Sequence, residues 1–170
     1  RLLDVAGGAG AFSITLCQRN PELTATVLDF PNVATLAQGC IAEAGLESRI
    51  RTIGANALAA DWPANQDAVL MSYLLSAVDA DAIDTLLAKA EAALAPGGLL
   101  IIHDFMLDDD EQGPDLAAHW FLLNLALNAG TVSFTGAELA RRLAGLGFIG
   151  VTTREHIHDI TKLVLARKAG

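Results

Sequence analysis

Positive charge is scarce in this chain. Its 170 residues carry 11 Lys and Arg against 20 Asp and Glu, a formal charge of −9. The basic residues are scattered. Phosphate backbones are held by Lys and Arg clusters, so a nucleic-acid partner is excluded. Cysteine is scarcer still: Cys17 and Cys40 are alone, with no CxxC spacing. That argues against a disulfide framework or a metal site, and both read as small apolar residues on helices in a reducing, cytoplasmic setting. Although 52% of the residues are hydrophobic, no apolar run is long enough to span a bilayer, so no membrane partner is expected. Repeats and low-complexity linkers are lacking too. There is no initiator Met, and Arg1 already stands within an apolar strand. The expectation is therefore a longer chain whose N-terminal part lies outside this sequence.

What is present is an alternation of strand and helix patterns across one domain, residues 1–170, long enough to bury a sizeable core. Strands are expected at 1–6, 24–29, 49–54, 67–73 and 99–106, and helices at 10–19, 31–44, 79–94 and 115–129. Asp79 is the expected N-cap of the third helix, and Pro96-Gly97-Gly98 its breaker. Thr135 and Glu138 form a capping-box pattern for a further helix that stops at Gly145 to Gly147. Two terminal runs, 148–156 and 161–167, read as an antiparallel hairpin. The fold class is thus α/β: a Rossmann-like, seven-stranded, mostly parallel sheet with helices on both faces and a C-terminal antiparallel hairpin.

The first strand runs into Asp4-Val5-Ala6-Gly7-Gly8-Ala9-Gly10, and the second ends in Asp29. Glycines let a backbone approach a ligand closely, and an acid in this place can accept hydrogen bonds from two ribose hydroxyls. A dinucleotide fingerprint would need a third glycine where Ser13 stands, which places an NAD oxidoreductase third among the readings. With Ala6 in its first glycine slot, the turn resembles motif I of the class I methyltransferases, which bind S-adenosylmethionine.

The resemblance narrows with Leu28-Asp29-Phe30-Pro31, Ala95-Pro96-Gly97-Gly98 and Phe134-Thr135-Gly136-Ala137-Glu138-Leu139 followed by Gly147-Phe148. These segments are similar to the catalytic domain of the small-molecule O-methyltransferases, the caffeate and acetylserotonin group with its bacterial members, over essentially the whole chain. The resemblance implies transfer of a methyl group from S-adenosylmethionine to a hydroxyl of a small aromatic secondary metabolite, with S-adenosylhomocysteine as product. It implies cofactor contacts from Asp4, Gly7, Gly8, Gly10, Asp29, Phe30, Asn56, Ala57 and Ser72. Asn56 takes a place usually held by Asp, and its side-chain oxygen can still accept from an adenine amino group. A small-molecule acceptor would meet Ser76, Trp120, Phe121, Asn124 and Asn128. A homodimer formed through the missing N-terminal domain is also implied.

One departure matters. Ser76 stands where plant-type members place a catalytic His, and a Ser is no base at neutral pH without help. The remaining catalytic candidates are His103, Asp104 and His119. Neighbours in a strand point to opposite faces, so His103 and Asp104 should not both face an acceptor. His156 and His158 read as exposed residues of the hairpin, away from the cofactor, with no metal expected. The missing His also keeps open a C- or N-methyltransferase and a non-catalytic S-adenosylmethionine-binding module.

Overall fold

All four residues of the first strand, Leu2–Val5 (β1), are buried, as a strand with helices on both faces requires. The computed structural model describes residues 1–128 and 130–170. After β1 come α1 (Ala11–Arg19), β2 (Ala25–Asp29), α2 (Pro31–Glu43), β3 (Ile50–Gly54), β4 (Gln66–Ser72), a 3-10 turn (Leu75–Ala77) and α3 (Ala80–Ala93). Then follow β5 (Leu94–Asp104), α4 (Asp115–Leu127), α5 (Gly136–Gly145), β6 (Phe148–Ile157) and β7 (Thr161–Lys168). They form one seven-stranded sheet in the order β3-β2-β1-β4-β5-β7-β6. The first five strands run parallel, and β7 enters antiparallel between β5 and β6. The expected α/β class and closing hairpin are both present.

Each sheet face carries its own core. Leu2, Val27 and Leu70 pack with Cys17 and Ile41 beneath α1 and α2. Leu3, Leu28, Met71 and Ile102 pack with Leu86, Phe121 and Leu139 beneath α3, α4 and α5. Cys17 is buried and Cys40 half-buried; both are free thiols on helices. The strand order reverses between β1 and β4, and such reversals open a crevice beyond the strand ends.

Three local expectations are corrected. Asp79 does stand at the N-cap of α3, but its side chain makes no bond to the helix; the carboxylate accepts instead from Asn128 Nδ2, tying the end of α4 to the start of α3. Pro96-Gly97-Gly98 does not separate α3 from β5. The helix stops at Ala93, Leu94 already pairs with Gln66, and the segment bulges out before Leu99 pairs with Ala68. Gly97 takes φ +75° there, which suits glycine. The helix expected at 115–129 ends at Leu127, and Ala129 lies outside the described residues. The Thr135–Glu138 capping box is present in both directions. Among the described residues no helix is long and apolar enough to cross a membrane.

Candidate functional site

The turn after β1 is built from left-handed backbone: Ala6, Gly8 and Gly10 have φ of +55°, +58° and +80°. Gly10 caps α1 with no side chain, so the first amides of the helix stay available to a ligand. Asp29 holds the turn from β2. Its carboxylate accepts from Gly8 N at 2.9 Å and from Phe30 N at 2.7 Å. Behind the turn, Asp4 is buried and accepts from Ser13 Oγ at 2.7 Å, while its Oδ1 has no partner among the described residues. Burial pushes the Asp4 carboxyl up to about 6. A Cβ on Gly7 would lie 2.8 Å from the Asp4 carboxyl carbon, so only glycine leaves that carboxylate room.

Beside the turn lies an apolar cleft of about 110 Å³, bounded by Leu28, Asp29, Phe30, Ala55, Asn56, Ala57 and Leu74 among others. Hence β2 and the loop after β3 bring Asp29, Phe30, Asn56 and Ala57 together. The Asn56 side-chain oxygen accepts from Leu58 N at 3.0 Å, shaping its own loop as Asn does in turns.

His103 and Asp104 do point to opposite faces. The register pairs Asp4 with Leu70, Leu70 with Ile101, and Ser72 with His103. Ser72 and His103 therefore lie one step beyond Asp4 on the same face. His103 is buried, with Ser72 Oγ 2.9 Å from Nδ1 and Thr161 Oγ1 3.0 Å from Nε2. Burial, and then the nearby His156, hold its pKa below the ordinary histidine value. Around the ring stand Tyr73 at 4.7 Å, His156 at 4.8 Å and Phe12 at 6.2 Å between centroids. His156 and His158 are exposed as expected, and β6 brings His156, and β7 Thr161, onto His103. His158 points elsewhere, to Glu155 and Asp159.

On the other face, Asp104 accepts from Ser76 N at 3.1 Å and Phe105 N at 2.9 Å. Burial pushes its carboxyl up to about 6. Ser76 is fully buried, and its Oγ accepts from Trp120 Nε1 at 2.9 Å. The Trp120 ring stacks on Phe105 at 4.6 Å and 22°. Other residues expected near an acceptor are placed differently. Phe121 is buried edge-on against Phe134, Asn124 bonds back to Trp120 O within α4, and Asn128 is taken up by Asp79. His119 is exposed on α4.

Sequence reading passed over Tyr73, Phe105 and Thr161. Tyr73 carries φ +54°, a strained value for a tyrosine at the tip of a strand. Its place directly after the β4 pattern was the one signal available. Thr161 gave none, because only the hairpin register brings it to His103.

Residues 1–149 match the family model of the O-methyltransferase domain. The chain is 40% identical over 155 residues to a 3-hydroxy-5-methyl-1-naphthoate 3-O-methyltransferase of Streptomyces sahachiroi, covering 90% of this chain and 44% of that one. It is 35% identical over 149 residues to an L-tyrosine C(3)-methyltransferase of Streptomyces lavendulae, covering 87% and 41%. The solved structure of an O-methyltransferase family protein from Burkholderia thailandensis superimposes with TM-score 0.88 at 25% identity, covering 99% of this chain and 51% of that one. The chain thus spans about half the length of the relatives it matches, or somewhat less.

Proposed function

This chain belongs to the O-methyltransferase domain family, and from that premise we propose that it is the catalytic domain of an S-adenosylmethionine-dependent O-methyltransferase. Its acceptor would be a hydroxyl of a small aromatic secondary metabolite, and its product S-adenosylhomocysteine. The observation that carries this reading is the Asp29 carboxylate. It is fixed by Gly8 N and Phe30 N at the rim of an apolar cleft, where it can accept from ribose hydroxyls while the cleft takes the purine. The fit extends inward. The unpartnered Asp4 Oδ1 suits the ammonium of an amino-acid end, and glycine at position 7 leaves room for that carboxylate. When bound, the cofactor supplies an electrophilic methyl group on sulfur.

The residues of this chain orient and exclude water. Asp104 pins the 3-10 turn through Ser76 N, and Ser76 Oγ holds the Trp120 indole against Phe105. The stacked pair makes a flat wall for a planar acceptor. Alignment of the reacting atoms can contribute ~7–11 kcal/mol to such a displacement. Ser76 itself cannot take the acceptor's proton, being buried beneath Trp120. That observation favours a second reading, transfer to carbon or nitrogen, and one relative at 35% identity is named as a carbon methyltransferase.

We also propose that the exposed leucines of α4 are covered by a preceding N-terminal domain that forms a homodimer. Leu122, Leu123 and Leu127 are 64%, 53% and 78% exposed, an apolar surface of the kind that marks an interface. The deciding experiment gives the full-length protein methyl-labelled S-adenosylmethionine and a panel of phenols, naphthols, aromatic amines and tyrosine. Label on oxygen supports the first reading, and label on ring carbon or nitrogen the second. No transfer at all, with S-adenosylhomocysteine still bound, would leave a binding module.

A further inference from the structure

A hydroxyl acceptor must lose a proton as it takes a methyl group, and the buried Ser76 cannot receive it. Asp104 is fully buried as well, His103 is 5% exposed, and His119 lies on the solvent side of α4. Tyr73 is different. It is the single tyrosine of the chain, it directly follows β4, and it is 40% exposed. Its φ of +54° turns the chain there, and its amide donates to His103 O at 2.8 Å, which fixes the turn. Strain of this kind persists where the surrounding structure over-determines it, and it collects at functional sites.

The turn lays the Tyr73 ring in a row of rings across the strand ends. His156 stands 4.8 Å from His103, His103 4.7 Å from Tyr73, Tyr73 5.3 Å from Phe105, and Phe105 4.6 Å from Trp120. One end of the row is the flat wall offered to a planar acceptor. Toward the other end lies a buried imidazole, and Tyr73 joins the two.

We propose that Tyr73 is the residue that takes the acceptor's proton, passing its own through the Thr161 hydroxyl to Nε2 of His103. The inference rests on the O-methyltransferase reading given above. Thr161 Oγ1 lies 3.0 Å from His103 Nε2, and Ser72 Oγ lies 2.9 Å from Nδ1. Burial, and then Asp104, push the Tyr73 phenol up, and hydrogen bonding with Thr161 pulls it down. A tyrosine kept protonated is no anionic base, so it must give up one proton as it gains another. The step balances. The acceptor oxygen bonds the methyl carbon, and the carbon–sulfur electron pair stays on sulfur. The acceptor's O–H breaks, and its proton goes to Tyr73 Oη. The phenolic proton of Tyr73 goes to Thr161 Oγ1, and the Thr161 hydroxyl proton goes to His103 Nε2. The imidazolium returns its proton to water along the same path once the methyl ether has left.

His103 must start neutral, with its own proton on Nδ1 facing Ser72. Burial, and then His156, hold its pKa below the ordinary histidine value, so it is neutral at neutral pH. The charged and titratable groups around it are Tyr73 from β4, His156 from β6, and Arg154 of β6 in the same register row. Asp4 of β1 lies on the same face, α1 has no acidic residue in its first turn, and Lys162 of β7 is engaged by Leu107 O and Asp108. The relay is therefore intact at neutral pH and lost as pH falls through the depressed pKa of His103.

Kinetics of the full-length protein with S-adenosylmethionine and two probes test this. One probe is 1-naphthol, neutral at pH 8; the other is 4-nitro-1-naphthol, which is ionised there and needs no base. Tyr73→Phe keeps the ring and should lower kcat for 1-naphthol about a hundredfold, a loss typical of general acid–base catalysis. KM and affinity for S-adenosylhomocysteine should hold, and the loss should nearly vanish with the nitro compound. Thr161→Val and His103→Gln should follow the same pattern. A Tyr73→Phe loss equal for both probes, or confined to KM, overturns the proposal. A second readout needs no turnover. Nitrogen-15 NMR of the unliganded protein, with the His103 signal assigned by its absence from His103→Gln, should show Nδ1 protonated and Nε2 bare. A proton on Nε2 overturns the proposal. Label on the oxygen of neither probe with wild type would sink the O-methyltransferase reading itself, and this inference with it.

Discussion

Asp29 and Asp4 carry the clearest consequences among single residues. Asp29→Ala removes the anchor of the glycine turn together with the ribose acceptor, and should weaken S-adenosylhomocysteine by at least 1 kcal/mol in a calorimetric titration. Asp4 behaves oppositely in the empty protein. Its folded carboxyl is raised to about 6, so between about 4 and 6 the folded state holds more protons than the unfolded one. Stability contributed by that proton is present at acid pH and lost as pH rises through 6. Asp4→Asn should therefore raise the melting temperature at pH 7.5, by roughly 1–3 kcal/mol of stability at most, with the gain shrinking toward pH 5. The same variant should bind S-adenosylhomocysteine more weakly, a trade expected where a site stores unfavourable charge. Asp4, Asp29 and the glycines were legible because their chemistry is local, a strand end and a turn. Ser72, Thr161 and His156 were not legible as partners of His103. Three strands distant in sequence meet there, and only the register decides which side chains touch.

Elements were read well where the signal was a period or a cap, and less well where tertiary pairing overrode a breaker. The Thr135 box needs nothing beyond four residues, and Thr135→Ala should cost about 1 kcal/mol in urea unfolding by releasing Glu138 N and the box together. Pro96-Gly97-Gly98 looked like an end to helix α3. The pairing of Leu94 with Gln66 instead absorbs it as a bulge in β5. In α4, the resemblance assigned Trp120 and Asn124 to an acceptor. The structure turns Trp120 to Ser76 and Phe105 and spends Asn124 within the helix. Trp120→Phe keeps the stack and deletes the bond to Ser76, leaving a buried hydroxyl one donor short. Acceptor KM should rise several-fold while affinity for S-adenosylhomocysteine holds, which steady-state kinetics and titration together can read.

At the scale of the whole molecule, the two sheet faces divide the work. The α1 side carries Asp4, Ser72 and His103, and the α4 side carries Asp104, Ser76 and Trp120. The leucine surface of α4 predicts a further difference. Hydrogen exchange over Leu116–Leu127 should be slower in the full-length protein than in residues 1–170 alone, because the proposed N-terminal domain would cover it. Equal rates would count against that cover. The sheet order has another consequence, one that concerns birth rather than binding. Strand β7 is synthesised after β6 yet lies inside it, against β5. While a ribosome is still making residues 161–168, the outer edge of β5 has no neighbour and β6 has nothing to pair with. Chains emerge at roughly 5–20 residues per second. The sheet can therefore close only in the last moments of making this segment, and Thr161 reaches His103 at that same moment. A prematurely released chain would lack the Thr161 hydroxyl that stands 3.0 Å from His103 Nε2, and its imidazole would have lost one of the two partners that fix it.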